Sequence, residues 1–276
     1  MNDTYFPNQA ATSLLLEERF RAEVEILPEQ SRLILYELLS SCMPSFAFTT
    51  FCLSEGMVIA TQNAREIAFP SPVPMVKLSH IIFGYEEWLQ RKYCLPGFVE
   101  VAPGDVVVDC GAYVGGFSIS AAKTSAQVHA FEPERKNFAC LARNFRGISN
   151  ITLNDAGLYS QSGPMVLNIS SNSVEHSLIM PDDGKIVEER EIYVVTLNDY
   201  VQMNNLNKLD FVKIEAEGVE LEVFEGLQGL RPSKLAIDVS AERNGESPAA
   251  EFRERLVPLG YEIRQRAHVM FAKLES

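Results

Sequence analysis

The chain has 276 residues, 46% of them hydrophobic and 22% charged, a composition that supports a full core and argues against extended disorder. With 37 acidic against 24 basic side chains its net charge is -13, so phosphate backbones and anionic membrane surfaces are repelled and neither is expected as a partner. No run approaches the roughly 18 uncharged apolar residues of a membrane span.

In chain order, residues 12–26 and 29–42 read as helices, with Pro28 suited to a first turn and Leu33, Tyr36 and Leu39 at helical spacing. Residues 46–70 read as strands, and Pro70, Pro72 and Pro74 punctuate a loop. A helix over 85–95 ends at Pro96-Gly97. From about residue 100 the rhythm changes to strand 106–108, helix 116–124, strand 128–131, helix 135–146 and strand 151–153. A polar stretch over 157–192 follows. Strand 211–214, helix 219–229, strand 235–239, helix 248–258 and strands 260–265 and 268–273 complete the chain. This alternation predicts an α/β fold whose mostly parallel sheet is covered by helices on both faces, with ligands at the carboxyl ends of the strands. Two parts are expected. Residues 1–97 form a helical and β-hairpin extension, a cap or an assembly surface for a homo-oligomer, and residues 98–276 form the ligand-binding domain.

Met1-Asn2-Asp3-Thr4 lacks the basic start and apolar run of a secretory signal. Cys42, Cys52, Cys94, Cys110 and Cys140 are odd in number and contain no C-x2-C pair, so neither a disulfide framework nor a bound metal is expected. A reducing, cytoplasmic location follows from that usage.

The glycine turn Asp109-Cys110-Gly111-Ala112-Tyr113-Val114-Gly115-Gly116 is the most informative local feature. Glycines let the backbone turn sharply from strand to helix and let a ligand approach closely. The spacing is neither G-x-G-x-x-G nor a phosphate-binding loop ending in G-K-[ST]. No Lys or Arg lies between Asp105 and Ala122. A cradle without cations and with a carboxylate at the strand end suits a ligand that carries positive charge and no phosphate. Glu132 ends the next strand, 23 positions after Asp109. A carboxylate there accepts hydrogen bonds from both hydroxyls of a ribose, or else serves as the N-terminal acid of helix 135–146. Asp155, after the third strand, is placed either at an adenine edge or as a solvated turn acid.

Four stretches, in order, resemble the FkbM family of methyltransferases: Asp109-Cys110-Gly111-Ala112-Tyr113-Val114-Gly115, Phe131-Glu132-Pro133, Val195-Thr196-Leu197-Asn198-Asp199-Tyr200, and Val212-Lys213-Ile214-Glu215-Ala216-Glu217-Gly218-Val219-Glu220. The likeness runs from about Tyr85 to the C-terminus. It implies a Rossmann-like class I methyltransferase fold with a seven-stranded sheet, S-adenosylmethionine as cofactor, and cofactor contacts at Asp109, Gly111, Ala112, Tyr113, Gly115, Glu132 and Asp155. The family usually has Asn where this chain has Tyr113, and Asp where it has Glu215.

Glu215 and Asp238 end two strands that lie side by side in the implied order. As a pair they can position an acceptor, act as a base or hold a divalent ion; otherwise they are a helix N-terminal acid and a loop cap. Lys213 needs a partner if buried, and Glu215, two residues along, is the nearest. His176, in a polar loop, is a candidate base for a hydroxyl. His129, inside an apolar strand, reads as a core residue. The resemblance implies an S-adenosylmethionine-dependent O-methyltransferase acting on a hydroxyl of a small glycan, sugar derivative or polyketide-type metabolite. A nucleotide-dependent oxidoreductase is disfavoured by the glycine spacing, and a non-catalytic adenosyl-ligand binder on the same fold is the alternative.

Overall fold

The structure is a computed structural model that describes residues 23–42, 46–170, 176–179 and 185–275. Most of the expected helix over 12–26 therefore lies outside the described residues. Helix α1 (Glu29–Cys42) is followed by an antiparallel meander of β1 (Thr50–Ser54), β2 (Met57–Gln62) and β3 (Arg65–Pro70). Two helices come next, α2 (Met75–Ile82) and α3 (Tyr85–Tyr93). The α2 helix was not expected: it starts directly behind Pro74 and is only eight residues long, too short for its pattern to stand out against the prolines.

The alternating region contains β4 (Val106–Cys110), α4 (Gly116–Lys123), β5 (Gln127–Phe131), α5 (Arg135–Asn144) and β6 (Ile151–Asn154). After three strands, β7 (Gly157–Leu158), β8 (Gly163–Ser170) and β9 (Ile186–Val195), come α6 (Leu197–Met203), β10 (Phe211–Ile214), α7 (Glu220–Glu225), β11 (Lys234–Asp238), α8 (Ala249–Leu256), β12 (Tyr261–Arg266) and β13 (Val269–Leu274). The main sheet has seven strands in the order β12-β13-β11-β10-β4-β5-β6, parallel from β11 to β6 and antiparallel where β13 meets β11 and β12. The expected fold is the observed one. The stretch over 157–192, expected only as a polar edge, instead supplies most of the second sheet β7-β9-β8, whose long strand β9 is mostly exposed.

Side chains alternate across the main sheet and divide the core. Val107, Phe211, Ala236 and Phe271 face α2, α3 and α4, whereas Val108, Val212, Leu235 and Ile237 face α6, α7 and α8. The first core also contains Tyr36 of α1 and Phe69 of β3, so it runs continuously across the boundary expected near residue 97. Asn144 of α5 fixes the meander in place: its side chain pairs with both the N–H and the carbonyl of Ala68, at 2.7 and 3.0 Å, and donates to Val114 of the glycine turn at 2.9 Å.

Candidate active site

At the carboxyl edge of the sheet the glycine turn leaves β4 and enters α4. Gly111 has φ of 70°, and a Cβ there would lie 1.9 Å from the carbonyl oxygen of Glu215, so no larger residue fits between these two strand ends. Gly115 has φ of 88° and abuts the Phe145 ring. Tyr113, with φ of 53°, is a non-glycine residue in left-handed backbone. Its ring lies 6.5 Å from that of Phe69, and the Lys77 ammonium stands 5.4 Å from its centre.

Glu132, at the end of β5, is buried yet lines the cleft beside this turn. One carboxylate oxygen accepts from the Tyr113 N–H and the other from the Glu134 N–H, both at 2.9 Å. Burial raises its pKa to about 7, against the pull of those two amides. The N-cap of α5 is Glu134 rather than Glu132: it accepts from Lys136 and Asn137 backbone N–H groups and pairs with Arg190 at 3.1 Å.

Of the other residues expected around a cofactor, Gly111 and Tyr113 line the cleft, while Asp109, Ala112, Gly115 and Asp155 are not among its lining residues. Asp109 is fully buried, accepts from the Ser118 hydroxyl at 2.6 Å and forms an ion pair with Lys213 at 3.1 Å. The turn itself carries no cation, but the neighbouring strand supplies one, so the charge of Asp109 is met inside the fold. Asp155 is exposed.

The register of β10 against β11 pairs Ile214 with Ile237 and so brings Glu215 and Asp238 side by side. Lys92 of α3 stands between them, 2.7 Å from Glu215 and 2.9 Å from Asp238, and Lys213 reaches the second Glu215 oxygen at 3.1 Å. Burial alone would raise the Glu215 pKa, but Lys92, Lys213 and Lys77 together carry it well below the usual carboxylate range. Burial opposes the charge on both lysines, yet their carboxylate partners hold each pKa above the ordinary lysine value. Asp238 also accepts from the N–H and hydroxyl of Ser240. Lys77 and Lys92 were not found from sequence, because they lie in the N-terminal part and belong to no motif. The usable signal was Lys92 one helical turn after buried Trp88, a lysine on the apolar face of a helix.

His176 also lines the cleft. Its Nδ1 accepts the Ser170 N–H at 3.1 Å, so in the neutral ring the proton sits on Nε2. Burial lowers its pKa, partly offset by Glu134 and reinforced by Arg190 and Lys136. The imidazole therefore has a hydrogen to donate from Nε2. His129 is buried and bonds the Tyr200 hydroxyl at 2.8 Å, the core role expected of it. Among the described residues no group of three or more His, Cys, Asp or Glu side chains is arranged to hold a metal ion.

The cleft has apolar walls from Phe131, Pro133, Leu158, Leu167 and Leu178. An apolar slot, a carboxylate whose Oε2 keeps a lone pair while Oε1 also accepts from Asn137 at 3.4 Å, and the carboxylate of Glu215 form an acceptor set that fits an adenosyl ligand bearing a sulfonium.

Residues 109–263 match the family model described as the methyltransferase FkbM domain. The 31-O-demethyl-FK506 methyltransferase FkbM of Streptomyces tacrolimicus is 29% identical over 213 residues, covering 65% of this chain and 75% of that protein. Methyltransferase 1 of Beauveria bassiana is 22% identical over 166 residues, covering 51% and 67%. Among solved structures, the precorrin-6y C5,15-methyltransferase of Geobacter metallireducens matches with a TM-score of 0.43 and 13% identity over 75% of this chain and 94% of that one.

Proposed function

Because the chain belongs to the FkbM family of methyltransferases, which use S-adenosylmethionine, we propose that it methylates a hydroxyl of a small glycan, sugar derivative or polyketide-type metabolite. The observation that carries the cofactor part is Glu132, fixed by two backbone N–H groups beside Gly111 with its remaining acceptor capacity next to the cleft. Oxygen as the acceptor atom is supported by the Streptomyces relative, whose named substrate is an O-demethyl compound. A chain of net charge -13 disfavours a polyanionic acceptor.

Bound S-adenosylmethionine supplies an electrophilic methyl group on a positively charged sulfur. Glu132 takes the ribose hydroxyls, and Phe131, Pro133 and Leu158 supply apolar surface for the base. Glu215 presents a carboxylate to the sulfonium side and accepts the hydrogen bond that orients the acceptor hydroxyl. Its depressed proton affinity makes it a weak base before transfer, so it would take the hydroxyl proton only as the acceptor oxygen gains the methyl and the sulfur–methyl bond breaks to leave a neutral thioether. His176 donates from Nε2 to hold the acceptor. Asp238, saturated by Ser240 and Lys92, supports Glu215 from behind. Positioning of this kind supplies much of the rate of a displacement with a good leaving group.

Mass spectrometry of glycans and small metabolites from cells with and without the gene tests the acceptor. The expected result is one hydroxyl-bearing product whose methyl is lost with the gene. A methyl lost from RNA or from a protein, with glycans and metabolites unchanged, overturns the acceptor class.

A further inference from the structure

Lys92 lies outside residues 109–263, the stretch that matches the family, yet its ammonium is the centre of the charge cluster beside the cleft. Its side chain is 15% exposed and sits 4.8 Å from the centre of the Tyr93 ring. Two lysines, Lys92 and Lys213, meet three carboxylates, Asp109, Glu215 and Asp238. The charged and titratable groups facing Glu215 from its surroundings are Lys77 and His80 of α2, Tyr85, Lys92 and Tyr93 of α3, Asp109 of β4, Lys213 of β10, and Asp238 and Glu242 around the end of β11. Every one of the close cationic contacts to Asp238 comes from Lys92 among the described residues, and Glu215 shares that same ammonium.

We propose that Lys92 is a positioning residue of the transfer site, clamping Glu215 and Asp238 side by side so that Glu215 keeps its negative charge toward the sulfonium of the donor. This rests on the reading of the cleft as the donor site. Without the clamp, Glu215 would be a buried carboxyl next to another carboxylate, and both burial and like charge favour its protonated form. Lys213 would then be shared between Asp109 and Glu215, and Lys77, which sits over the Tyr113 ring, would be the remaining cation acting on Glu215.

The test uses the full chain and three variants: Lys92→Arg, Lys92→Met, and Lys92→Met combined with Asp238→Asn, which removes one charge of each sign and so guards against a variant that fails to fold. Carbon NMR of the Glu215 carboxyl, assigned by the signal lost in Glu215→Gln, follows its titration in ligand-free protein. Calorimetry follows the ratio of affinities for S-adenosylmethionine and S-adenosylhomocysteine, in which the shared ribose contacts cancel. In the wild type and Lys92→Arg, the Glu215 signal and the ratio stay flat between about pH 5.5 and 8. In Lys92→Met Glu215 titrates within that window, and the ratio falls by up to about tenfold per pH unit below its midpoint, whereas in the double variant, with the like charge of Asp238 gone as well, the midpoint lies below that of Lys92→Met. A flat Glu215 signal in folded Lys92→Met, a double variant that titrates no lower than Lys92→Met, or an Arg variant whose Glu215 titrates within that window, overturns the clamp. Failure of the wild type to bind either ligand, with Glu215 titrating as stated, upholds the clamp and overturns the donor reading.

Discussion

Glu132 shows how a single side chain acquires a task. Two amides, from Tyr113 in the glycine turn and Glu134 in the next helix entry, hold the carboxylate from opposite sides. Glu132→Gln keeps the size but places an N–H₂ against one of those amides. Charge-assisted hydrogen bonds are worth about 1.5–3 kcal/mol each, so calorimetry should show donor affinity lowered at least about tenfold. The pH dependence has a defined sign. Burial raises the pKa to about 7, so the ligand-free fold holds this proton more tightly than the unfolded chain does. Its contribution to stability is therefore present at low pH and fades as pH rises through about 7. A diol that bonds the carboxylate prefers the ionised form, so affinity for both donor and product should rise between about pH 6 and 8, and Glu132→Gln should abolish that rise. The spacing puts Gly111 and Glu132 at the carboxyl ends of neighbouring strands, and the structure has both lining the cleft. The environment of Tyr113 was not legible in the sequence: its left-handed backbone suits the Asn usual in the family, and here the ring lies near Phe69 and Lys77, neighbours brought in by tertiary structure.

The parallel strands could be read because they are buried on both faces and carry unbroken apolar runs; β4 and β10 are buried at every position. The pair β8–β9 could not, because Glu188, Glu189, Arg190 and Glu191 occupy the middle of a strand exposed to water and mask its alternation. One of those residues matters to the cleft. Arg190 reaches across to Glu134, the cap of α5, and so ties the second sheet to the helix that follows Glu132. Glu134→Ala removes the cap and leaves Arg190 with one fewer partner. The expected loss is about 1–3 kcal/mol, read as a lower urea midpoint at unchanged slope. A change within about 0.3 kcal/mol would mean that the helix end is held by other contacts.

At the scale of the whole molecule, the first core joins α1, the meander, α2 and α3 to one face of the main sheet. Tyr93 packs on Phe117, and Phe117 on Phe211, with ring centres 5.8 and 5.7 Å apart. The described residues before and after about residue 97 should therefore unfold together. Trp88 is the sole tryptophan and lies in α3, so its fluorescence reports the N-terminal part while far-ultraviolet circular dichroism reports the whole. Coincident midpoints are expected; an earlier tryptophan transition would show two separable units. The continuous core also bears on recombination between relatives. Lys77 and Lys92 come from one segment and the carboxylates they serve from another, so a hybrid joined near residue 100 must match the charges of its two parents as well as their shapes. A parent whose helix carries a neutral residue at the Lys92 position would hand the sheet two crowded carboxylates, and the hybrid would retain its topology while its donor preference drifted with acidity.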